Sequence, residues 1–312
     1  MKVNIIDGSN IFFICYSILQ ANIADECKAN GKEPRPVEKR DIPELLDIFV
    51  MKLKLFLNQR NNIVCFEGKN SSKWRKDIYP EYKGNRNRSS EDALFDCLEE
   101  CQKICKYLPC KVMKVENCEG DDVMFALAER IITTTNHDVE LISSDEDWTQ
   151  VEVFFPGRVQ CFHPIKKEYR VVNPKIVQEK VYVGDGSDNI KFKKGLGPKT
   201  LEKMRESKAV YDKWVTSEED KERLRRIHKI VDLRCFPLEY RKSIIKSFNE
   251  EKYNKTDYEE LSKKLSDFTI NCIEGAFDSR ARRCVEDDYI ESLPEPFLEL
   301  DSSDVWIRDL AS

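Results

Sequence analysis

Val115-Glu116-Asn117-Cys118-Glu119-Gly120-Asp121-Asp122-Val123-Met124-Phe125-Ala126-Leu127-Ala128 sets three carboxylates in four positions, where an apolar run (Val112, Met113, Val115) changes into a helix-like pattern. Like charges crowded in this way cost free energy unless a cation offsets them. Asp121 or Asp122 alone could simply serve the first turn of a helix, a plain account that covers most acidic pairs. The acids Asp7, Glu67, Asp145, Asp147, Asp185 and Asp188 recur at similar junctions, and that repetition asks for more.

Outward from this stretch, residues 2–6 form a short apolar run ending at Asp7, and Gly8-Ser9-Asn10 supplies a turn and a helix cap. Spacing predicts a helix over 39–58, a buried strand over 62–66 ending at Glu67, and an amphipathic helix over 91–108. A third strand at 111–115, the helix at 120–133 and a fourth strand at 138–143 follow, the last leading into Asp145 and Asp147. Strands alternating with helices imply crossovers and a parallel sheet, where ligands gather beyond the carboxyl ends of the strands. The expected fold class is therefore α/β, a central, mostly parallel sheet flanked by helices, with acids from four strand ends converging on one edge. Short β-like stretches at 159–162 and 169–172 precede helices at 174–183, 218–233, 237–248 and 258–272, so the second half reads as mainly α. The expected divisions are a core over 1–172, a helical domain over 173–285 and an acidic tail over 286–312 bearing Phe297 and Trp306.

The 312 residues carry a net charge of −5, which argues against a general nucleic-acid coat. A charged fraction of 35% and a mean hydropathy of −0.58 point to a soluble protein. Within that acidic balance, residues 69–88 hold seven Lys/Arg against two acids, and residues 191–208 hold seven against two. Such local excess suits phosphate contacts beside carboxylate-held metal. In the first segment Trp74, Tyr79 and Tyr82 are interleaved with the cations, as stacking on bases and clamping of phosphates require; the competing account is a solvated loop. Gly195-Leu196-Gly197-Pro198-Lys199-Thr200 lacks the Gly-Lys-Ser/Thr ending of a nucleotide loop and reads instead as a glycine-rich hairpin between two helices. The twelve cysteines lack a CxxC pair and read as reduced thiols of a cytoplasmic, non-secreted protein; Cys97, Cys101 and Cys105 read as a core stripe. The apolar run 11–19 is too short to span a bilayer.

Nine clustered carboxylates exceed what acid/base catalysis needs, whereas Mg²⁺ and Mn²⁺ prefer oxygen ligands and two-ion centres share several acids. Basic, aromatic-bearing segments beside them make phosphodiester hydrolysis the natural reaction. The histidines are His137, His163 and His228, and none follows a nucleophile motif.

Asp7 in Ile-Ile-Asp-Gly-Ser-Asn, the run Tyr79-Pro80-Glu81-Tyr82-Lys83-Gly84-Asn85-Arg86, Glu119-Gly120-Asp121-Asp122, Ser144-Asp145-Glu146-Asp147 and Gly184-Asp185-Gly186-Ser187-Asp188-Asn189-Ile190 resemble, in this order, the flap endonuclease or 5′→3′ exonuclease family. The resemblance covers roughly residues 1–250 and is strongest to the compact phage enzymes and the 5′-nuclease domain of bacterial DNA polymerase I. It implies a PIN-like 5′-nuclease core, a helical arch over 69–90 and a helix-hairpin-helix over 184–208. Asp7, Glu119, Asp121, Asp122 and Asp145 match the acids around a first metal and its waters, and Asp147, Asp185 and Asp188 those of a second. Lys83 and Arg86 match the pair that contacts the scissile phosphate, Tyr82 an aromatic on which a base stacks, and Arg75 a further basic arch residue. Lys193, Lys194, Gly195, Gly197, Lys199 and Thr200 fall in the hairpin that grips duplex backbone, with a K⁺ ion among the implied cofactors beside two Mg²⁺ or Mn²⁺.

Two positions depart from the family pattern. Glu67 stands where most members have Asp, and Phe192-Lys193 replaces Gly-Val, where a bulky Phe would resist a positive φ. The implied activity is a metal-dependent, structure-specific 5′-nuclease acting as a monomer on flapped, nicked or RNA-primed duplex DNA. A sliding clamp or single-strand-binding protein is a candidate partner for the tail. Two other readings use the same residues. A PIN-type ribonuclease would not need the hairpin or Asp185 and Asp188, and a non-catalytic DNA-junction factor would not need the acids.

Overall fold

The structure, a computed structural model, describes residues 2–57, 61–86, 92–277 and 290–295. β1 (Lys2–Asp7) is the central strand, and its side chains alternate between two apolar layers: Val3 and Ile5 enter one, Ile6 the other. That is the pattern of a strand buried on both faces. β2 (Asn61–Phe66) and β4 (Asp138–Ile142) pair with it in parallel on either side. β3 (Lys111–Lys114) extends the sheet beyond β2, and β5 (Val159–His163) beyond β4. The two-residue β6 (Glu168–Tyr169) closes it antiparallel, giving the order β3-β2-β1-β4-β5-β6. Asp7 lies beside Cys65, and Ile6 beside Ile142, so the carboxyl ends of β1, β2 and β4 are level. Chain direction across the sheet reverses at β1, the switch point where such folds open a crevice.

One face is covered by α1 (Gly8–Ala29), α2 (Ile42–Lys54), α4 (Asp92–Ile104) and α13 (Asp267–Ile273), through residues such as Phe12, Phe49, Cys101 and Ile273. The other is covered by α5 (Gly120–Thr134), α6 (Thr149–Phe154), α7 (Ile176–Tyr182), α10 (Glu218–Val231) and α11 (Leu238–Glu250). Apolar contact runs continuously from α5 into these later helices, as Phe125, Val181, Ile227 and Ile244 share one layer. Cys97, Cys101 and Cys105 are fully buried in the first layer, and burial pushes their thiols up.

Three expectations change. The single helix over 258–272 is two, α12 (Tyr258–Ser262) and α13, because the Ser266 hydroxyl accepts the Thr269 N–H and restarts the helix. The strand over 169–172 shrinks to β6. Within the acidic tail, residues 290–295 are docked: Leu293 is buried, its N–H and carbonyl both bonded to the Asn249 amide, and Arg130 Nε donates to Pro294 O at 2.6 Å. Phe297 and Trp306, on which a partner-docking reading rested, lie outside the described residues. Among the described residues no helix is long and apolar enough to cross a membrane.

Candidate metal centre

The carboxyl edge of the sheet collects acids because β1 and β4 run into capping acids there, Asp7 for α1 and Asp145 for the 3-10 turn at 146–148. Asp7 caps α1: its Oδ1 accepts from Asn10 N–H at 2.8 Å, and its Oδ2 accepts from the Ser143 hydroxyl at 2.9 Å. Ser143 Oγ in turn accepts the Asp145 N–H, and Asp145 Oδ1 accepts the Asp147 N–H. One serine at the end of β4 thus fixes the β1 acid against the β4 acids. Glu67 is exposed just past β2. It follows the strand so tightly that a Cβ on Gly68 would sit 1.7 Å from Val115 O, so the bend tolerates only glycine.

These groups feel one another. Burial pushes Asp7 up to about 6, against its two hydrogen bonds and with added repulsion from Asp145 and Glu67. Asp121 is raised well above the usual carboxylate range by burial and then by Asp145 and Asp7. Asp147 is raised to about 6 by burial and Asp145, although Lys180 pulls the other way. Carboxyls raised together in this way form the donor set of a hard divalent cation, whose charge would bring them down again. The carboxylates stand apart rather than closing on a point: among the described residues, the one group of His, Cys or acid donors within 4.8 Å of one another lies elsewhere, at His228. An ion that keeps several waters accommodates that spacing. Asp7, Glu67, Asp121 and Asp145 could hold one such ion, and Asp145, Asp147 and Asp185 a second; Glu119 and Asp188, expected among the ligands, are instead engaged by Arg75, Lys83 and Arg86.

A cation already stands in the second group. Lys180 Nζ bridges Asp147 and Asp185, at 2.6 Å from Asp185 Oδ2. Burial opposes that charge, but the two acids overcome it and raise the ammonium above its ordinary value. Asp185 is held down at about 2: burial would raise it, and Lys180 and Ser187 prevail. Lys180 escaped the sequence reading, although its place in the last turn of a helix running into the 184–190 loop was the available signal. That loop turns at Gly184, whose φ is +96° and whose Cβ would meet Ile190 O at 2.5 Å.

The arch base is stitched to the same loop. Lys83 N donates to Asp188 O at 2.9 Å, Asn189 Nδ2 to Glu81 O at 2.8 Å and Asn85 Nδ2 to Gly186 O at 2.9 Å. Lys83, itself at φ +53°, places Nζ 2.9 Å from Glu119 Oε2, and Arg86 meets Asp188 Oδ1 at 3.0 Å. Glu119 also accepts from Ser72 Oγ, Tyr82 OH and Arg75 Nη1. Burial would raise this carboxyl, but Arg75 and Lys83 bring it down to about 2.

Four expected site residues are placed differently. Asp122, fully buried, caps the Glu119 N–H and pairs with both Arg75 terminal nitrogens and with Trp74 Nε1, so it faces away from the acid edge. The first-turn reading is right for this acid. Arg75, expected at a DNA surface, is 4% exposed in α3 (Lys73–Ile78), with its guanidinium stacked 4.3 Å over Trp74. Tyr82 is 3% exposed and turns its hydroxyl to Glu119 and Asp188, leaving no open ring face for a base. Trp74 and Tyr79 are buried likewise, because an arch base resting on α5 and α10 needs its own apolar footing. Lys193 ties to Trp214 O and Asp220 Oδ2 rather than facing outward. Phe192 packs edge-on to Tyr182 and does not need a positive φ. Lys194, Gly195 and Lys199 are exposed, Gly195 at φ +87°, ahead of α8 (Pro198–Glu206), which Gly197 caps.

A solved structure of divalent zinc ions bound to T5 5′-exonuclease superposes with a TM-score of 0.53 at 20% identity, covering 88% of this chain and 100% of that one. A complex of the bacteriophage T5 D15 flap endonuclease with DNA and metal ions gives 0.51 at 18% identity, over 89% and 100%. At such identities the likeness is one of fold. In sequence, Ribonuclease H of Enterobacteria phage T4 is 26% identical over 153 residues, 46% of this chain and 49% of that protein. The 5′-3′ exonuclease of Mycoplasma pneumoniae is 30% identical over 149 residues, 44% and 50%. The chain thus spans about half the length of these curated relatives. The profile of the 5′-3′ exonuclease N-terminal, resolvase-like domain matches residues 2–182, more than half of the chain, and on that match the chain belongs to the 5′-3′ exonuclease family.

Proposed function

We propose that this protein is a divalent-metal-dependent, structure-specific 5′-nuclease that hydrolyses phosphodiesters of flapped, nicked or RNA-primed duplex DNA. The observation that carries the reading is the convergence of Asp7, Asp121, Asp145 and Asp147 on one sheet edge, three of them pushed above the usual carboxylate range, with Lys83 and Arg86 at its rim. Cations held there, Mg²⁺ or Mn²⁺ as a pair, supply charge to the phosphate and acidify a water. Glu119 and Asp188 keep Lys83 and Arg86 poised beside the acids, where a phosphate entering under the arch exchanges carboxylate partners for its own oxygens. Lys194, Lys199 and Thr200, at the hairpin and the first turn of α8, are the duplex backbone contacts in this reading. A flapped duplex labelled at its 5′ end tests it: short 5′ products with Mg²⁺ and none with EDTA are expected, and tight binding without cleavage overturns it.

Lys83→Ala is expected to slow single-turnover cleavage by about 10²–10³-fold while flap affinity changes only a few-fold, because the lost charge acts on the reacting phosphate. Equal losses in rate and affinity would make Lys83 an ordinary phosphate contact.

Stability should depend on pH in a way that the cation reverses. The folded-state pKa values of Asp7 and Asp147 are raised from 3.8 to about 6, so the folded protein binds these protons more tightly than the unfolded chain. The stability they contribute is complete below the lower value and is lost as pH rises through the upper one. Mg²⁺ replaces the protons, so its increment in Tm should grow across that window. Thermal unfolding in EDTA and in Mg²⁺ measures this, and an increment independent of pH would place both acids away from the ion.

A further inference from the structure

The end of α10 gathers donors that the carboxylate centre does not use. His228 stands in its last turn, Asp232 is its C-cap, and Cys235 ends the following 3-10 turn, so positions i, i+4 and i+7 wrap to one side. His228 Nε2 is 3.2 Å from Asp232 Oδ2, and His228 Nδ1 is 3.8 Å from Cys235 Sγ. One donor atom from each lies within 4.8 Å of the other two. His228 and Asp232 are buried, and Cys235 is half-buried. With Zn–S near 2.3 Å and Zn–N near 2.0 Å, a tetrahedral ion spans donor-to-donor edges of about 3.5 Å. An imidazole gives one ion a single nitrogen, so the His228 ring must turn, exchanging its contact with Asp232 or with Cys235, for these three donors to close around one ion.

We propose that His228, Asp232 and Cys235 bind a zinc ion, at a site separate from the acid edge. The donor types choose the metal: thiolate and imidazole favour zinc, whereas the Mg²⁺ expected at the sheet edge takes oxygen. Arg234 Nη2, 2.7 Å from Asp232 Oδ2, together with His228 keeps that carboxylate ionised and oriented, although burial alone would raise it. The carbonyl end of α10 adds a favourable partial charge. His228 and Arg234 also line a cavity of about 750 Å³. On binding, the thiol proton leaves to solvent.

The ion would brace a turn that other parts of the protein lean on. Ile230 O accepts from Arg75 Nε at 3.2 Å, Leu233 N–H donates to Gln150 Oε1 at 3.0 Å, and Arg234 O accepts from Arg241 Nη2. The sequence reading passed over His-x₃-Asp-x₂-Cys because it sought nucleophile motifs and paired cysteines.

Cobalt tests the site. The full chain, in excess Mg²⁺ to fill the acid edge, is titrated with Co²⁺ while near-ultraviolet absorption is followed. A thiolate-to-cobalt charge-transfer band saturating at one equivalent is expected, lost in Cys235→Ser and His228→Gln and kept in Asp121→Asn. No band, or a band that survives Cys235→Ser, overturns the proposal. Because His228 is buried, a measurement on the unaltered chain stands beside the variants: alkylation mapped by mass spectrometry with and without Zn²⁺. Zinc should slow labelling of Cys235 by about tenfold or more, since a bound thiolate is withdrawn from reaction. Labelling of the half-buried Cys27 and Cys272 should not change, and equal labelling of Cys235 with and without zinc refutes the site.

Discussion

Asp121→Asn is expected to remove metal-dependent cleavage, by well over the roughly 100-fold that loss of an outer-shell partner costs, while the metal-free protein melts no lower than wild type. The two halves of this result share one cause. Asp121 is a half-buried carboxylate raised by desolvation, Asp145 and Asp7, so its charge opposes folding when no cation is near. An amide of the same shape relieves that repulsion and at the same stroke removes an anionic ligand. Flap binding should persist, because the basic residues of the arch base and hairpin are untouched. Single-turnover cleavage, flap affinity and thermal unfolding in EDTA are the three measurements. Wild-type cleavage by this variant would dismiss the metal assignment, and a large drop in melting temperature would make Asp121 a structural acid like its neighbour Asp122.

Arg75→Met is expected to destabilise the protein by about 3–5 kcal/mol, the cost of stranding buried charge, and to abolish cleavage through misplaced Glu119. Against a total stability of about 5–15 kcal/mol this is a large share. Arg75 Nη1 and Nη2 reach Asp122 at 3.0 and 2.8 Å, Nη1 reaches Glu119 at 3.2 Å, and Nε reaches Ile230 O at 3.2 Å. Removing the guanidinium leaves two buried carboxylates and a carbonyl without it. Arg75→Lys should not rescue, since a point charge cannot serve three acceptors in a plane. Urea unfolding decides between this role and a DNA contact. A variant with wild-type stability and weakened flap binding would return Arg75 to the DNA surface.

The ends of β1, β2, β3 and β4 were readable because both faces of the sheet are buried and each strand ends at, or within three residues of, an acid (Asp7, Glu67, Glu116 and Asp145); bounds shift by a residue or so. Lys83, Arg86 and the acids of the 145–147 and 185–188 turns were readable as residues of charge in ordered motifs. Less readable was the basic segment 69–88. Its aromatics looked like a stacking surface, yet Trp74, Tyr79 and Tyr82 are the segment's own anchors. A short helix whose one aliphatic residue, Ile78, is only partly buried needs more apolar footing to stay docked, and these rings supply it.

Sequence by itself determined the family and the edge of the sheet on which the acids gather. Acids at the carboxyl ends of parallel strands converge whatever the side-chain detail, because strand direction and the twofold alternation of buried residues leave them one common edge. Only the tertiary structure decided which way each acid faces. Asp121 and Asp122 are adjacent in the chain, but a helix turns each residue by about 100°, so one faces the sheet edge and the other faces Arg75. Lys180, Ser143 and the His228 turn entered for the same reason. Their partners are distant in sequence or lie on one face of a folded turn, and proximity of that sort exists only once the chain has packed.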